Sequence, residues 1–330
     1  AAVLHALENN AVEGGSSPVM RRGQAVFTAL EHEVMHQETL LYMWHRFEPI
    51  RKARPQGMAG HTDGAVPGQQ MVQVPDGYAT LGASVDEIPF GWDNEFPGLR
   101  VDVPAFRIDV HDVTNHDYLA FVDDGGYRCE ELWSPKAWRR RVADGREHPL
   151  FWEHDSGRWV WRGMFERIVL PMSWPVYVTY DEAAAFATWK GLRLPTEAEF
   201  HRAAYGAPDG ERSYPWGEQT PDATHGNFDF QQWDPVSVGS YPAGVSAWGI
   251  HDLVGNGWEW TSSTFAGFPG FRPMESYPEY SADFFDGDHY IVKGASPATG
   301  RELVRRSFRN WFRPYYPYVY ATFRCAEDAA

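Results

Sequence analysis

The stretch PVYVTYDEAAAFATWKGLRLPTEAEFHRAA (175–204) decides how the rest of the chain is read. Its apolar lead PVYV runs into Thr179, a residue type whose side chain accepts from the free N–H groups of a first helical turn. TYDEAAAFATWKG (179–191) is therefore predicted to be a helix closed by Gly191. GLRLP then leads into Pro195 and Thr196, with Glu199 three residues after Thr196, the reciprocal pairing that starts a second helix. Downstream, in HDLVGNGWEWTSS (251–263), Trp258 and Trp260 flank Glu259 with strand-like alternation. Most of these residues are expected to be scaffold, with Trp216, Trp258 and Trp260 in the core.

The composition suits a fold of short elements. The chain has 330 residues, 43% hydrophobic and 22% charged, enough for two domains or one large one. Its 15 Trp, 16 Tyr and 20 Phe, with 31 Gly and 24 Pro, predict a loop-rich fold pinned by buried rings. A net charge of −16 argues against nucleic acid and anionic membranes as partners. The one basic stretch, RRSFRNWFR (305–313), reads equally well as buried arginines beside a small-ligand site. Cys129 and Cys325 cannot make a disulfide framework or a cysteine-built zinc site. No apolar run approaches the roughly 20 residues of a membrane helix, and AAVLHALENN has no signal-peptide pattern; a cytoplasmic protein is expected.

Three regions are expected: a helical segment over 1–50, a polar Gly/Pro-containing linker over 51–70, and a strand-and-loop domain over 71–330. Residues 18–48 read as one long helix with Val26, Phe27, Leu30, Val34, Leu41 and Trp44 on its apolar face. A shorter helical segment, AAVLHALE, precedes it, and two helices do not close a bundle. A further helix is expected at NHDYLAFVDD (115–124).

Inside the long helix, HEVMHQE (32–38) fits two patterns, the zinc-protease H-E-x-x-H and H-x-x-x-H-x-E. His32 and His36 fall on one helical face one turn apart, a chelating arrangement for two imidazoles. Glu38 lies roughly 240° around the helix from His32 and is not the obvious third ligand. A protease would need a third ligand further along the same domain, where this chain turns to other textures. Metal site, protease helix and hydrogen-bonded histidines all remain open on the pair alone.

DVTNHDYLAFVDDGGY (112–127), the 175–204 stretch, YPWGE (214–218), HDLVGNGWEWTSS and FRCA (323–326), in this order, resemble the formylglycine-generating-enzyme-like domain over about residues 66–330. That resemblance implies an α+β chain whose larger part is a loop-rich C-type-lectin-like fold. Gly257 departs from the usual GNVWEW and is expected to loosen that strand. The copper-dependent enzymes of this group use a cysteine pair shortly before FRCA; none stands here before Cys325, which is expected to be structural. H-x-x-x-H-x-E at one end and SFRNW (307–311) at the other are similar to the ergothioneine- and selenoneine-type sulfoxide synthases, which join a DinB-like helical bundle to this domain. The first helices then look like the last part of such a bundle.

This second resemblance implies a non-haem Fe(II), O2-dependent enzyme that joins sulfur or selenium to an imidazole carbon of hercynine. His32 and His36 become two metal ligands. The third, an upstream histidine, is not identified; His5 and His45 are poor candidates. Asn310 and Trp311 align with residues that hold hercynine, and an aromatic face suits a quaternary ammonium. Phe312 stands where some members carry an Asp that reads γ-glutamyl-cysteine, which favours free cysteine or a selenosugar as donor. Met35 replaces a Gln found beside the second ligand in some members. Tyr277 and Tyr280 are the candidates for the family's catalytic tyrosine, Tyr277 preferred. The alternatives are OvoA-type histidine–cysteine sulfoxide synthesis and a non-catalytic lectin-like binding module.

Overall fold

The computed structural model describes residues 22–56, 58 and 60–329. AAVLHALE and His5 lie outside the described residues. The long helix, α1, spans Gln24–His45, and its last turn is closed by the Arg46 N–H on the carbonyl of Met43 and the Phe47 N–H on that of Trp44. Phe27, Val34, Leu41 and Trp44 of the expected apolar face pack, half-buried, against the core. The buried residues are Glu31, Glu38, Tyr42 and His45, whereas Leu30 is 59% exposed. The segment that follows is tied down rather than free. The Asp63 carboxylate accepts from the backbone of Met172 and Ser173, and the Gly64 N–H donates to Ser173 and Ser237.

Short elements then alternate with loops: β1 (Met71–Val74), β2 (Gly77–Leu81), β3 (Leu99–Val103), β4 (Phe106–Asp109), α2 (Asn115–Asp123), α3 (Pro135–Asp144), β5 (Trp152–Asp155), β6 (Arg158–Arg162), β7 (Arg167–Val169), α4 (Tyr180–Trp189) and α5 (Glu197–Tyr205). The last part adds β8 (Gly206–Ala207), β9 (Gly210–Glu211), β10 (Gly257–Thr264), β11 (Tyr290–Ala295), β12 (Asn310–Phe312), β13 (Ala321–Thr322) and β14 (Ala326–Asp328). The fold is α+β. Its central sheet has the order β12-β11-β10-β13, with β13 parallel to β10 and the other pairs antiparallel. A second sheet, β1-β4-β14, brings the two ends of the strand domain together.

Thr179 and Thr196 each cap a helix, with Glu182 and Glu199 returning the bond. Thr114 caps α2 in the same way with Asp117. Helix α3 was not anticipated, although Ser134 caps it, Pro135 opens it and Gly145 follows it at φ 62. Only Ala137 of it is buried, so no apolar stripe announced it.

Six tryptophans, Trp92, Trp152, Trp161, Trp174, Trp258 and Trp260, are fully buried. Trp216 is not among them. It is half-buried, stacked between Tyr214 and His225 at ring distances of 5.3 and 4.3 Å. Gly257 does not loosen its strand. A Cβ there would sit 2.9 Å from Thr322 Cγ2 and 3.1 Å from Tyr177 Cε1, so glycine lets β13 approach β10. Among the described residues, no helix is long and apolar enough to cross a membrane.

The motifs that carry the resemblance meet at one guanidinium. Arg324 of FRCA, fully buried, pairs with Glu259 of GNGWEW at 2.6 and 2.8 Å and with Asp112 of DVTN at 3.2 Å. It also donates to the carbonyls of Asp109, Val110 and His251. Arg324→Met would strand two buried carboxylates, and a loss on the order of 3–5 kcal/mol of unfolding free energy is expected in urea titrations. A change under about 1 kcal/mol would show that the knot does not hold the fold.

Candidate active site

Helix α1 lies on the lectin-like domain through its acids. Glu38 accepts four hydrogen bonds: Tyr42 Oη at 2.5 Å, Trp258 Nε1 at 2.8 Å, Ser296 Oγ at 2.6 Å and Thr299 Oγ1 at 3.0 Å. With its oxygens so engaged, Glu38 holds the helix rather than an ion. Two turns earlier, Glu31 takes Arg305 at 2.8 and 2.9 Å and the Trp92 indole at 2.8 Å. Arg305 also reaches Glu95, which accepts from Ser307 as well. Burial would raise the Glu95 carboxyl, but Arg305 and Ser307 outweigh it and hold the group below its ordinary range. Glu31 goes the other way, pushed up by burial that Arg305 only partly offsets. Within RRSFRNWFR, Arg305 and Arg309 are therefore structural ion-pair partners, Arg309 with Glu197.

This docking brings His32, His36, Tyr277, Tyr280, Asn310, Trp311 and Phe312 to the wall of one cavity of about 430 Å³. The His32 and His36 rings are 4.4 Å apart, and the Tyr277 ring meets His32 edge-on at 5.6 Å. Burial, with the neighbouring His36, lowers the His32 pKa and favours the neutral imidazole that a metal ion needs. Among the described residues no set of three His, Cys, Asp or Glu side chains is placed to hold a metal ion. The pair fits such an ion as two of its ligands.

The other wall comes from the sheet. Asn310, Trp311 and Phe312 form β12, paired with Val292, Ile291 and Tyr290. Trp311 stacks on Phe265 at 3.9 Å and Phe312 on Tyr316 at 5.6 Å. Tyr280 stacks on Trp92 at 3.8 Å, and its hydroxyl donates to the Met35 sulfur at 3.4 Å. Burial drives the Tyr280 phenol well above its ordinary pKa. The two tyrosines are thus distinguished: Tyr277 faces the histidines, and Tyr280 is locked between Trp92 and Met35.

Sequence reasoning missed His289, which lines the same cavity and is oriented by Asp286 at 2.9 Å. The only local signal was an acid three residues before it, in DGDHY (286–290). His45 faces away from this chemistry. It is buried, with Nδ1 2.9 Å from Tyr320 Oη and Nε2 2.8 Å from the Arg162 carbonyl. A larger recess of about 800 Å³ near the start of α1 is lined by Arg22, Phe90, Arg100 and Arg272 among others, with no histidine among the described lining residues.

Comparison with known proteins bears on the family and the fold. The model of the "Sulfatase-modifying factor enzyme 1-like domain" family matches residues 59–329. The hercynine oxygenase of Mycolicibacterium thermoresistibile is 40% identical over 311 residues, covering 91% of this chain and 68% of that protein. The chain belongs to the hercynine oxygenase family. Family members are oxidative enzymes. The bovine inactive C-alpha-formylglycine-generating enzyme 2 is 34% identical over 224 residues, covering 59% of this chain and 71% of that one. Among solved structures, PvdO from Pseudomonas aeruginosa superposes with a TM-score of 0.53 at 21% identity, over 78% of this chain and 94% of PvdO, and shows the fold alone.

Two outcomes follow for this member of the hercynine oxygenase family. Glu38→Gln leaves one oxygen for four donors, and a loss on the order of 2 kcal/mol or more is expected in chemical denaturation; an unchanged midpoint would mean the latch carries little. Burial pulls the His45 pKa from 6.5 down to about 3. The unfolded chain takes up this proton near its ordinary pKa while the folded state refuses it. The contribution is therefore full above about pH 6.5 and lost as pH falls towards 3, at about 1.4 kcal/mol per pH unit. His45→Gln should flatten the slope of stability against pH between 6.5 and 4; an identical slope would refute the assignment.

Proposed function

We propose that this protein acts in ergothioneine- or selenoneine-type biosynthesis, joining sulfur or selenium to an imidazole carbon of hercynine with O2 as oxidant. The observation that carries this reading is the shared cavity: two metal-suited histidines on α1 facing an aromatic and amide wall on β12, in a chain 40% identical to a hercynine oxygenase. For a thiol donor the balance is R–SH plus an imidazole C–H plus O2, giving the sulfoxide and one water. Both C–S formation and S-oxygenation draw on the four electrons that O2 accepts.

His32 and His36 are the proposed ligands of a non-haem Fe(II), which supplies one-electron reduction of O2 and draws a thiol into its thiolate form when bound. The remaining work belongs to side chains. Trp311 offers the aromatic face that a trimethylammonium prefers to hydrated acid. The Asn310 amide oxygen already accepts from the Trp311 N–H at 2.9 Å, leaving its NH2 for substrate. Tyr277, edge-on to His32, is the proposed proton donor on the histidine side. Phe312, stacked on Tyr316, gives no charge to read a γ-glutamyl amine, which favours free cysteine or a selenosugar.

The test uses the full-length protein loaded anaerobically with Fe(II) and given hercynine, O2 and one donor at a time: cysteine, γ-glutamyl-cysteine or a selenosugar. Hercynine-dependent O2 uptake and a new adduct mass with cysteine or the selenosugar are expected. Tyr277→Phe should lower product formation at least tenfold while hercynine still binds. Iron-loaded protein without hercynine-dependent uptake would leave a lectin-like binding module as the reading.

A further inference from the structure

The cavity has an end that the reaction above does not use. His289 is buried in its wall, and the histidine Nδ1 lies 2.9 Å from Asp286 Oδ1. That carboxylate is kept ionised, its pKa lowered by the Asp288 N–H at 2.8 Å and by His289 itself. An ionised acceptor makes Nδ1 the donor, so Nε2 is the free nitrogen, with no hydrogen-bond partner among the described residues. Arg313, also on the cavity wall, is held by the same carboxylate at 3.2 Å and by Asp288 at 3.4 Å. Phe284 packs edge-on against the His289 ring at 5.3 Å, and the Phe265 N–H anchors the His289 backbone carbonyl at 2.8 Å.

The charges around this end leave one place. Asp286 and Asp288 face Arg313 and Lys136, two acids against two permanent cations. With neutral His289 the group sums to zero, and with imidazolium it is +1, the charge one substrate carboxylate would balance. The neighbourhood fits as well. Phe284 touches both His289 and Trp311, at 5.3 and 5.6 Å between rings. Hercynine carries its trimethylammonium and carboxylate on one carbon, so receptors for the two must be close neighbours.

We infer that His289 and Arg313, organised by Asp286, form the carboxylate-binding end of the cavity, with His289 Nε2 as the charge-assisted donor to the substrate. This rests on the hercynine reading and names the group that selects an α-carboxylate. His289 is a binding residue here; Asp286 is a positioning residue that fixes its tautomer.

The experiment is calorimetric binding to the full-length protein of hercynine and of its decarboxylated analogue, which keeps the imidazole and the trimethylammonium. His289→Ala should weaken hercynine by about tenfold to a hundredfold, the worth of a charge-assisted hydrogen bond. The analogue should bind the variant within about twofold of its affinity for the parent protein, which also shows that the variant is folded. Repeating the hercynine titration in buffers of different ionisation heat should show proton uptake by the parent protein and none by His289→Gln. Equal weakening of both ligands, or hercynine binding that His289→Ala leaves unchanged, would overturn the inference. If the parent protein binds neither ligand, the hercynine reading falls and takes this one with it.

Discussion

Everything about the site depends on one buried carboxylate. A charge such as that of Glu38 is costly to take out of water unless it is fully paired. Here the four donors come from its own helix, from β10 and from the loop after β11. Glu31 and Glu38 are seven residues apart, nearly two full turns, so both lie on one stripe of α1. Pinning two points of one stripe fixes rotation about the helix axis as well as position. His32 and His36 sit beside that stripe, so the same contacts aim them at β12. Apolar packing alone would tolerate small rotations; hydrogen bonds to three fixed donors outside the helix do not.

The second constraint lies under the strand domain. Arg324, Glu259 and Asp112 come from three segments far apart in sequence, and each alone would be an intolerable buried charge. Together they tie β10, the end of β4 and the approach to β14 to one point. The residues that make the domain recognisable are therefore mostly those that hold it together, and the chemistry is set elsewhere, on α1 and β12. This separation is why a domain of this type can carry different functions on one scaffold.

What could be read in advance follows the range of the interactions. Thr179, Thr196, Glu199 and the helices they start are local, decided within four residues, and the structure shows them as expected. Apolar periodicity placed most of the packed face of α1, Leu30 apart, but gave no sign of the buried acids Glu31 and Glu38. Three of the four donors to Glu38 lie more than 200 residues away, and nothing near position 38 announces them. Gly257 was misjudged for a related reason: the close approach that requires it involves Thr322 and Tyr177. The candidate residues named from family likeness do share a cavity, but His289 carried no such likeness and emerged only from its surroundings.

Met35 and Phe312 are better understood together than singly. Met35 offers a sulfur that takes the Tyr280 hydroxyl, so that phenol is engaged away from the histidines and Tyr277 is left as the ring nearest His32. On the opposite wall Phe312 stacks on Tyr316 and brings no charge. Neither side chain brings charge to the cavity, while Asp286, Arg313 and His289 keep charge at one end. A pocket polarised in this way can fix a zwitterionic amino acid by its α-carbon and leave the co-substrate to be chosen by fit against aromatic faces. On the proposed reading, discrimination between donors then rests on shape and hydroxyl contacts rather than on a charge clamp, which disfavours a donor whose second carboxylate would have to be desolvated without a partner.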